Sequence, residues 1–207
     1  MKKINIYQVS TLALGAAFII LAYTKTSSDK AMETSKKEAV VEAIHSRKSV
    51  RKYISRPVSK DDLLTLIKAG MAAPTAKNAQ PWAFIALSER RTLDMLADGM
   101  PYGKMLKAAP SAIVVCGNLE KDAGGNLWML DCSAAAQNIL LAAEALGLGA
   151  VWATAYPYND RMAAVAKALE LPEHIVPLCV IPVGYPEGNE SPKNKWKEEN
   201  VKWEKWS

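Results

Sequence analysis

Apolar and polar positions along the chain follow two different periods, one typical of helices and one of short buried strands. In the helical stretches apolar residues recur three or four positions apart, so that they share one face. The best local evidence for a helix start is Ser59 followed by Asp62, an N-cap with an acidic third position. The helices predicted in this way cover residues 38–46, 59–73, 91–100, 126–146 and 160–171.

Short apolar runs separate these helices. They have strand length and are continuous rather than alternating, which is typical of strands covered on both faces. The runs cover residues 82–87, 111–116, 150–155 and 176–183. Pro177 and Pro182 lie near the two ends of the last run, where we expect a missing backbone donor to be tolerated. Helices alternating with strands predict an α/β or α+β domain with a mostly buried sheet.

The chain of 207 residues is 50% hydrophobic, a composition typical of globular proteins. Its first residues differ from the rest: Lys2 and Lys3 precede 21 uncharged residues, 4–24, and a polar stretch follows. This layout predicts a signal peptide or a membrane anchor within residues 1–30, and hence an exported or membrane-anchored protein, on the periplasmic side if the cell is bacterial. The alternative is a frayed leader on a cytoplasmic protein. We expect one domain in residues 31–207.

The charge balance and the cysteine content argue against several classes of function. The formal charge is +5, but residues 31–207 hold 22 basic and 20 acidic residues, which does not indicate a nucleic-acid surface. The three cysteines, Cys116, Cys132 and Cys179, stand apart among apolar residues, so we interpret them as small buried hydrophobes. With two distant histidines and no paired cysteines, no metal site is predicted. The sequence has neither a Walker A loop nor a GxGxxG turn.

Three groups of residues could carry chemistry. Cations and hydroxyls in residues 46–53 suit a phosphate monoester, although a charged helix end is more often only solvated surface. Residues 73–82 could present backbone N–H groups and the Asn78 and Gln80 amides to a planar heterocycle, or could be an ordinary turn between two prolines. Lys193 and Lys195 would point the same way in an extended tail, or would simply be solvated.

In order and spacing these groups resemble the nitroreductase family of FMN-dependent oxidoreductases. The resemblance covers most of residues 38–207 and depends on a set of motifs rather than on any single one. The set consists of Arg47-Lys-Ser-Val-Arg51, Pro74-Thr-Ala-Lys-Asn-Ala-Gln-Pro-Trp82, Lys104 before Ala109-Pro110, Leu146-Gly-Leu-Gly149 with Trp152, and Pro192-Lys-Asn-Lys195.

The resemblance implies an α+β fold with a central, mostly antiparallel sheet surrounded by helices, and a homodimer with FMN at its interface. It implies that Arg47, Lys48, Ser49, Lys193 and Lys195 hold the FMN phosphate. Flavin contacts from the partner subunit are implied for Pro74, Thr75, Ala76 and Asn78. Trp152, Ala153 and Thr154 would lie along the isoalloxazine.

The implied activity is NAD(P)H-dependent reduction of nitroaromatic, quinone or related electron-poor small molecules. Hydride passes through flavin N5 in a ping-pong cycle, so no side chain acts as a nucleophile. Arg51 and Lys104 match positions beside the pyrimidine edge of the flavin, where a fixed cation stabilises the charge that develops on reduction. Lysine stands at positions 48 and 195, where relatives often carry arginine, so charge is kept and bidentate geometry is lost. Tyr102 is a further candidate for the cleft.

Other chemistries remain open. Reductive dehalogenation and flavin fragmentation occur in the same superfamily, but each needs lid or pocket residues that this sequence does not identify. From a different class, a membrane-tethered flavin protein could relay or sequester electrons without turning over a free substrate. That alternative follows from the leader, because NAD(P)H is scarce outside the cytoplasm.

Overall fold

The computed structural model describes residues 38–188 and 190–206. The chain divides into two units, residues 1–44 and 45–207. In the first unit the described residues, 38–44, are helical, and they belong to a helix, α1, that covers 38–46. The leader predicted at 1–30 lies outside the described residues. Within the described ranges no helix has the length and apolar content needed to cross a bilayer.

A five-stranded antiparallel sheet forms the centre of the second unit. Its strands are β1 (Trp82–Leu87), β2 (Ser111–Asn118), β3 (Gly149–Ala150), β4 (Ala153–Thr154) and β5 (Ile175–Gly184). β1 pairs with β2, β2 pairs with β5, and the other edge of β5 pairs with both β3 and β4. This sheet and the helices around it confirm the predicted α+β class.

Four helices cover the two faces of the sheet: α2 (Lys60–Met71), α3 (Arg90–Gly99), α4 (Trp128–Ala145) and α5 (Asn159–Leu169). Ile113 and Val115 of β2 pack with α2 and α4, whereas Val114 and Cys116 pack on the opposite side with α3 and α5. Successive side chains of a strand point to opposite faces. Because both faces are covered, β2 needs apolar residues at every position, which explains its continuous apolar run.

The start of α2 has the predicted cap. The Ser59 side chain accepts a hydrogen bond of 3.0 Å from the Asp62 backbone N–H, and Asp61 and Asp62 lie in the first turn. An oxygen at the N-cap satisfies an N–H group that has no partner within the helix, and acidic residues there complement the helix dipole. The sequence therefore located this helix start correctly.

The prediction of a single strand over residues 150–155 is wrong in one respect. The segment forms two short strands, β3 and β4, separated by Val151 and Trp152. β3 pairs as far as Val183 and β4 resumes at Val180, so the gap faces Ile181 and Pro182. Pro182 has no N–H to donate, and the chain opposite it leaves the sheet there.

Pro177 and Pro182 lie near the two ends of the last strand, as predicted. Both lie in β5, which has paired neighbours on each side. Pro177 is accommodated at a register shift, where Val115 pairs with Cys179 and Cys116 pairs with Pro177. Such irregularities tolerate a residue that cannot donate to the ladder.

The three cysteines behave as predicted. All are free and buried, and each belongs to the hydrophobic core. Burial raises the pKa of Cys116 and of Cys132 to about 12, and it raises the pKa of Cys179 well above its ordinary value. These thiols stay protonated at neutral pH and serve as small apolar side chains.

Candidate functional site

A cleft of about 830 Å³ opens beside the gap between β3 and β4. It is lined by Arg51, Lys52, Met100, Pro101, Tyr102, Lys104, Met105, Ala108, Trp152, Ala153, Thr154 and Arg161. Four of these residues are cationic, and none of the described lining residues is acidic. The cleft therefore has a positive potential and favours anionic or electron-rich groups.

Two of the predicted cations, Arg51 and Lys104, line this cleft together. The two residues belong to different parts of the chain. Arg51 follows the buried Val50. Lys104 begins a 3-10 turn, Lys104–Lys107, that follows α3. Both side chains are exposed. The fold thus brings together two cations that are 53 positions apart in sequence, as the resemblance implied.

The segment that carries Arg51 is fixed to β3. Val50 is 1% exposed, and its N–H donates to the Ala150 carbonyl at 3.0 Å. Ser49 forms a parallel bridge with Ala150. The Val50 side chain is anchored in the core while Ser49 and Arg51 on either side of it remain exposed. This alternation presents the hydroxyl and the guanidinium outward from a fixed backbone.

Trp152, Ala153 and Thr154 also line the cleft, and they come from the gap and from β4. Ala153 pairs with Val180, which ties this wall to the central strand of the sheet. The Trp152 ring packs against the core cluster on its inner side. A wall built on a paired strand is rigid, and the small Ala153 side chain leaves room for a flat molecule to approach the backbone.

The residues predicted to hold phosphate do not line the cleft. Arg47 and Lys48 are half-buried, and the Lys48 Nζ lies 3.0 Å from Glu144 Oε1 of α4. Lys193 and Lys195 are exposed in the extended tail. The structure therefore ties Lys48 to a carboxylate, an interaction that the sequence did not reveal.

The turn predicted to contact a flavin, residues 74–78, lies apart from the cleft lining. Ala76 N–H donates to Asp131 Oδ1 at 3.0 Å, and the Gln80 side-chain amide donates to Asn78 Oδ1 at 3.0 Å. Lys77, Asn78 and Gln80 have positive φ angles of 51°, 55° and 49°. Non-glycine residues adopt this conformation at a cost, so the surrounding hydrogen bonds hold a strained turn in one shape.

The cleft that Arg51 and Lys104 line is thus not lined by the turn residues Pro74, Thr75, Ala76 and Asn78 of the same chain. Thr75 accepts a hydrogen bond from the Gln80 N–H at 3.3 Å, so its hydroxyl supports the turn. The buried Asp131 carboxylate is a residue that sequence reasoning missed, because an acidic residue near the start of a helix is common. Only its contact with Ala76 marks it as the support of this turn.

Other lining residues were also missed, and Arg161 is the most informative of them. It lies in the first turn of α5, where a charged residue is expected on any amphipathic helix. Met100, Met105 and Ala108 form apolar parts of the lining. Tyr102, a candidate from the sequence, does line the cleft.

Comparison with known proteins identifies the family. The model of the nitroreductase family matches residues 44–103 and 97–185. A protein of Methanothermobacter thermautotrophicus named "Putative NADH dehydrogenase/NAD(P)H nitroreductase" is 43% identical over 169 residues, which are 81% of this chain and 87% of the relative.

Solved structures agree with this result. One from Parabacteroides distasonis, which carries the same name, is 53% identical with a TM-score of 0.78, and the match covers 81% of this chain and 98% of that one. An FMN-dependent nitroreductase from Clostridium difficile is 28% identical with a TM-score of 0.75, over 80% of this chain and 99% of that one. By sequence and by fold, the chain belongs to the nitroreductase family.

Proposed function

We propose that the protein reduces nitroaromatic, quinone or related electron-poor acceptors in a ping-pong cycle. Its general class is that of an FMN-dependent oxidoreductase that draws reducing equivalents from NADH or NADPH. The cleft carries the proposal. Its cations Arg51, Lys52, Lys104 and Arg161 surround an apolar lining, and none of the lining residues that the structure describes is a carboxylate. Such a site suits a flat, electron-accepting group whose reduced form is anionic.

The residues present fit FMN. Met105, Ala108 and Ala153 offer an apolar surface for a flat ring, and the cations lie around them. When bound, FMN accepts a hydride at N5 from the nicotinamide and later gives reducing equivalents to a second substrate. Arg51 and Lys104 would stabilise the negative charge of the reduced cofactor, because a fixed cation needs no reorganisation as that charge develops.

For the phosphate we propose Arg47, Lys48 and Ser49 together with Lys193 and Lys195. An arginine fork matches two phosphate oxygens and a serine hydroxyl donates to another. Lys48 already has Glu144 as a partner, which fixes the position of its ammonium group. We therefore assign Arg47 the main part of the phosphate interaction and Lys48 a smaller one.

We propose a homodimer, because the site is incomplete within one chain. The strained turn with Pro74, Thr75, Ala76 and Asn78 lies outside the cleft lining of its own chain, so it is free to contact the flavin of a partner subunit. The tail supports the same conclusion. Three tryptophans are 71% to 83% exposed, namely Trp196, Trp203 and Trp206. Large aromatic side chains at this exposure are typical of surfaces that pack against another chain.

Truncation after Glu190 tests the role of the tail. We expect the full chain to be a dimer by light scattering. The truncated chain should dissociate about 100-fold more readily, because it lacks three tryptophans that the proposed interface would bury. The double variant Lys193→Ala/Lys195→Ala is the matched control: it should weaken FMN binding while the dimer persists. A truncated chain that remains dimeric at the same concentrations would contradict this role.

For location we propose export or membrane anchoring through residues 4–24, on the strength of the two lysines and the 21 uncharged residues. A cytoplasmic protein is the alternative. Fractionation of cells that produce the full chain separates the two: the protein should be found in the membrane or outside the cytoplasm, and recovery from the cytoplasmic fraction at full length would overturn the proposal.

Initial-rate kinetics test the proposed function. With the nucleotide and a nitroaromatic acceptor varied in turn, a ping-pong enzyme gives parallel lines in a double-reciprocal plot. Intersecting lines would mean that both substrates are bound at once and would contradict the proposal. Reduction of the bound flavin without turnover of any acceptor would instead favour a protein that relays electrons to a partner.

A further inference from the structure

Arg161 is held in the cleft by aromatic rings. Its guanidinium carbon lies 3.8 Å from the centroid of the Tyr158 ring and 5.3 Å from that of Tyr102. Both distances are within the range of cation–π attraction. Tyr158 directly precedes α5 and Tyr102 follows α3, so the two rings that contact the guanidinium come from different elements.

The hydrogen-bonding capacity of this guanidinium is largely unused. It has five N–H donors, and Nη1 makes one long hydrogen bond of 3.4 Å to the Thr154 carbonyl. Nε is buried without a hydrogen-bond partner in the described structure. No carboxylate of the residues 38–188 and 190–206 lies within 4.0 Å of Arg161. A half-buried charge with no counter-ion among the described residues favours binding of an anion that supplies the missing acceptors.

The cofactor roles proposed above are filled by other cations, so no role in binding FMN is assigned to Arg161. Arg51 and Lys104 are assigned to the cofactor, and the phosphate group has its own cations. Arg161 is joined through Thr154 to the wall that the family resemblance assigns to the isoalloxazine. An anion on Arg161 would therefore belong to a molecule that lies close to this wall, where the second substrate must be reduced.

We propose that Arg161 determines acceptor specificity by binding a carboxylate or a similar anionic group on the acceptor itself. The preferred acceptors are then small aromatic compounds that carry an anionic substituent as well as the reducible group, with Tyr102 beside the ring. This inference rests on the proposed function. A phosphate of the nucleotide is the rival source of the anion, but in NADH and NADPH a ribose separates the nicotinamide from the nearest phosphate. A compact aromatic carboxylate places its charge nearer to the reducible group.

The test compares two acceptors of nearly equal shape, 4-nitrobenzoate and 4-nitrobenzamide, with the holoenzyme under anaerobic conditions. We expect a higher kcat/KM for the benzoate, and we expect Arg161→Gln to lower the benzoate-to-benzamide ratio about tenfold or more, as loss of a charge-assisted hydrogen bond implies. Arg161→Lys should give an intermediate ratio, since it keeps the charge and loses the fork. Arg91→Gln, at an exposed arginine of α3, should leave the ratio at its wild-type value.

Binding to the oxidised holoenzyme gives a second readout that needs no turnover. By calorimetry, 4-chlorobenzoate should bind more tightly than 4-chlorobenzamide, and Arg161→Gln should remove most of that difference. An unchanged acceptor ratio in Arg161→Gln would overturn the inference. So would a rise in KM for NADH or NADPH with no change in the acceptor ratio, because the anion would then belong to the nucleotide.

The two proposals fail in different ways. If the wild-type protein reduces neither nitro compound nor a benzoquinone, but binds 4-chlorobenzoate in a manner that depends on Arg161, the proposed reductase function fails and the anion site stands. If it reduces both compounds equally well and Arg161→Gln changes nothing, the reductase function stands and the specificity role is overturned.

Discussion

Arg47→Ala is expected to weaken FMN binding by about 10-fold to 100-fold, because hydrogen bonds between charged groups contribute roughly 1.5–3 kcal/mol. Arg47 is half-buried next to the segment that Val50 anchors to β3, so its side chain starts from a fixed backbone. Equilibrium dialysis of the apoprotein against FMN measures the effect. The fold should persist, since no core residue is changed.

Two further variants separate the effect of charge from that of geometry and provide a control. Arg47→Lys keeps the charge and loses bidentate geometry, so its affinity for FMN should fall between those of the wild type and Arg47→Ala. Arg91→Ala removes an exposed arginine of α3, away from the proposed site, and should bind FMN as the wild type does. Equal affinity for FMN in Arg47→Ala and the wild type would rule out the assignment of the phosphate to this residue.

Gly149→Ala should produce the second large effect, on stability and on cofactor binding together. A Cβ added at Gly149 would lie 2.6 Å from Val50 Cγ1 and 2.7 Å from Val50 Cβ. Val50 is 1% exposed and cannot move aside. We expect a loss of about 1–3 kcal/mol in the free energy of unfolding, as is typical of overpacked cores, measured by urea denaturation.

The same substitution should weaken FMN binding, because moving Val50 also moves Ser49 and Arg51. The double variant Gly149→Ala/Val50→Gly is the control, since it removes every Val50 side-chain atom that would clash, Cβ included. It should be more stable than the sum of the two single changes predicts. If Gly149→Ala has wild-type stability and wild-type affinity for FMN, close contact between β3 and residue 50 does not hold the site in place.

Much of the fold could be predicted from local sequence. The Ser59 cap located the start of α2 because its oxygen satisfies an N–H group within the same turn. The apolar run of β2 identified a strand covered on both faces. In each case the chemistry that determines the element lies within a few neighbouring residues.

The features of the fold that the sequence did not predict depend on contacts between residues that are distant in the chain. The gap at Val151 and Trp152 follows from Pro182 in a strand more than 25 positions later in sequence. Local hydrophobicity predicted one continuous strand because it contains no information about the pairing partner. The sequence predicted Pro182 near the end of its strand, but it did not show that β5 is paired on both sides.

In the candidate site, too, some residues could be identified from local sequence and others only from contacts between distant parts of the chain. Arg51, Lys104 and residues 152–154 were identified through motifs, and the fold gathers them in one cleft. Arg161 carries no motif, and its position is evident only from the rings of Tyr102 and Tyr158 around it. The Lys48–Glu144 ion pair joins residues 96 positions apart, which no spacing argument could detect.

We expect this chain to bind FMN and to use it to oxidise NAD(P)H. The most direct test of this expectation is the visible absorption spectrum of the purified full chain, recorded before and after anaerobic addition of NADH and then NADPH. An FMN-dependent NAD(P)H oxidoreductase should show oxidised-flavin bands that bleach with at least one nucleotide. Bands that resist both nucleotides would contradict the reductase function, and a colourless protein that cannot be reconstituted with FMN would contradict the entire account.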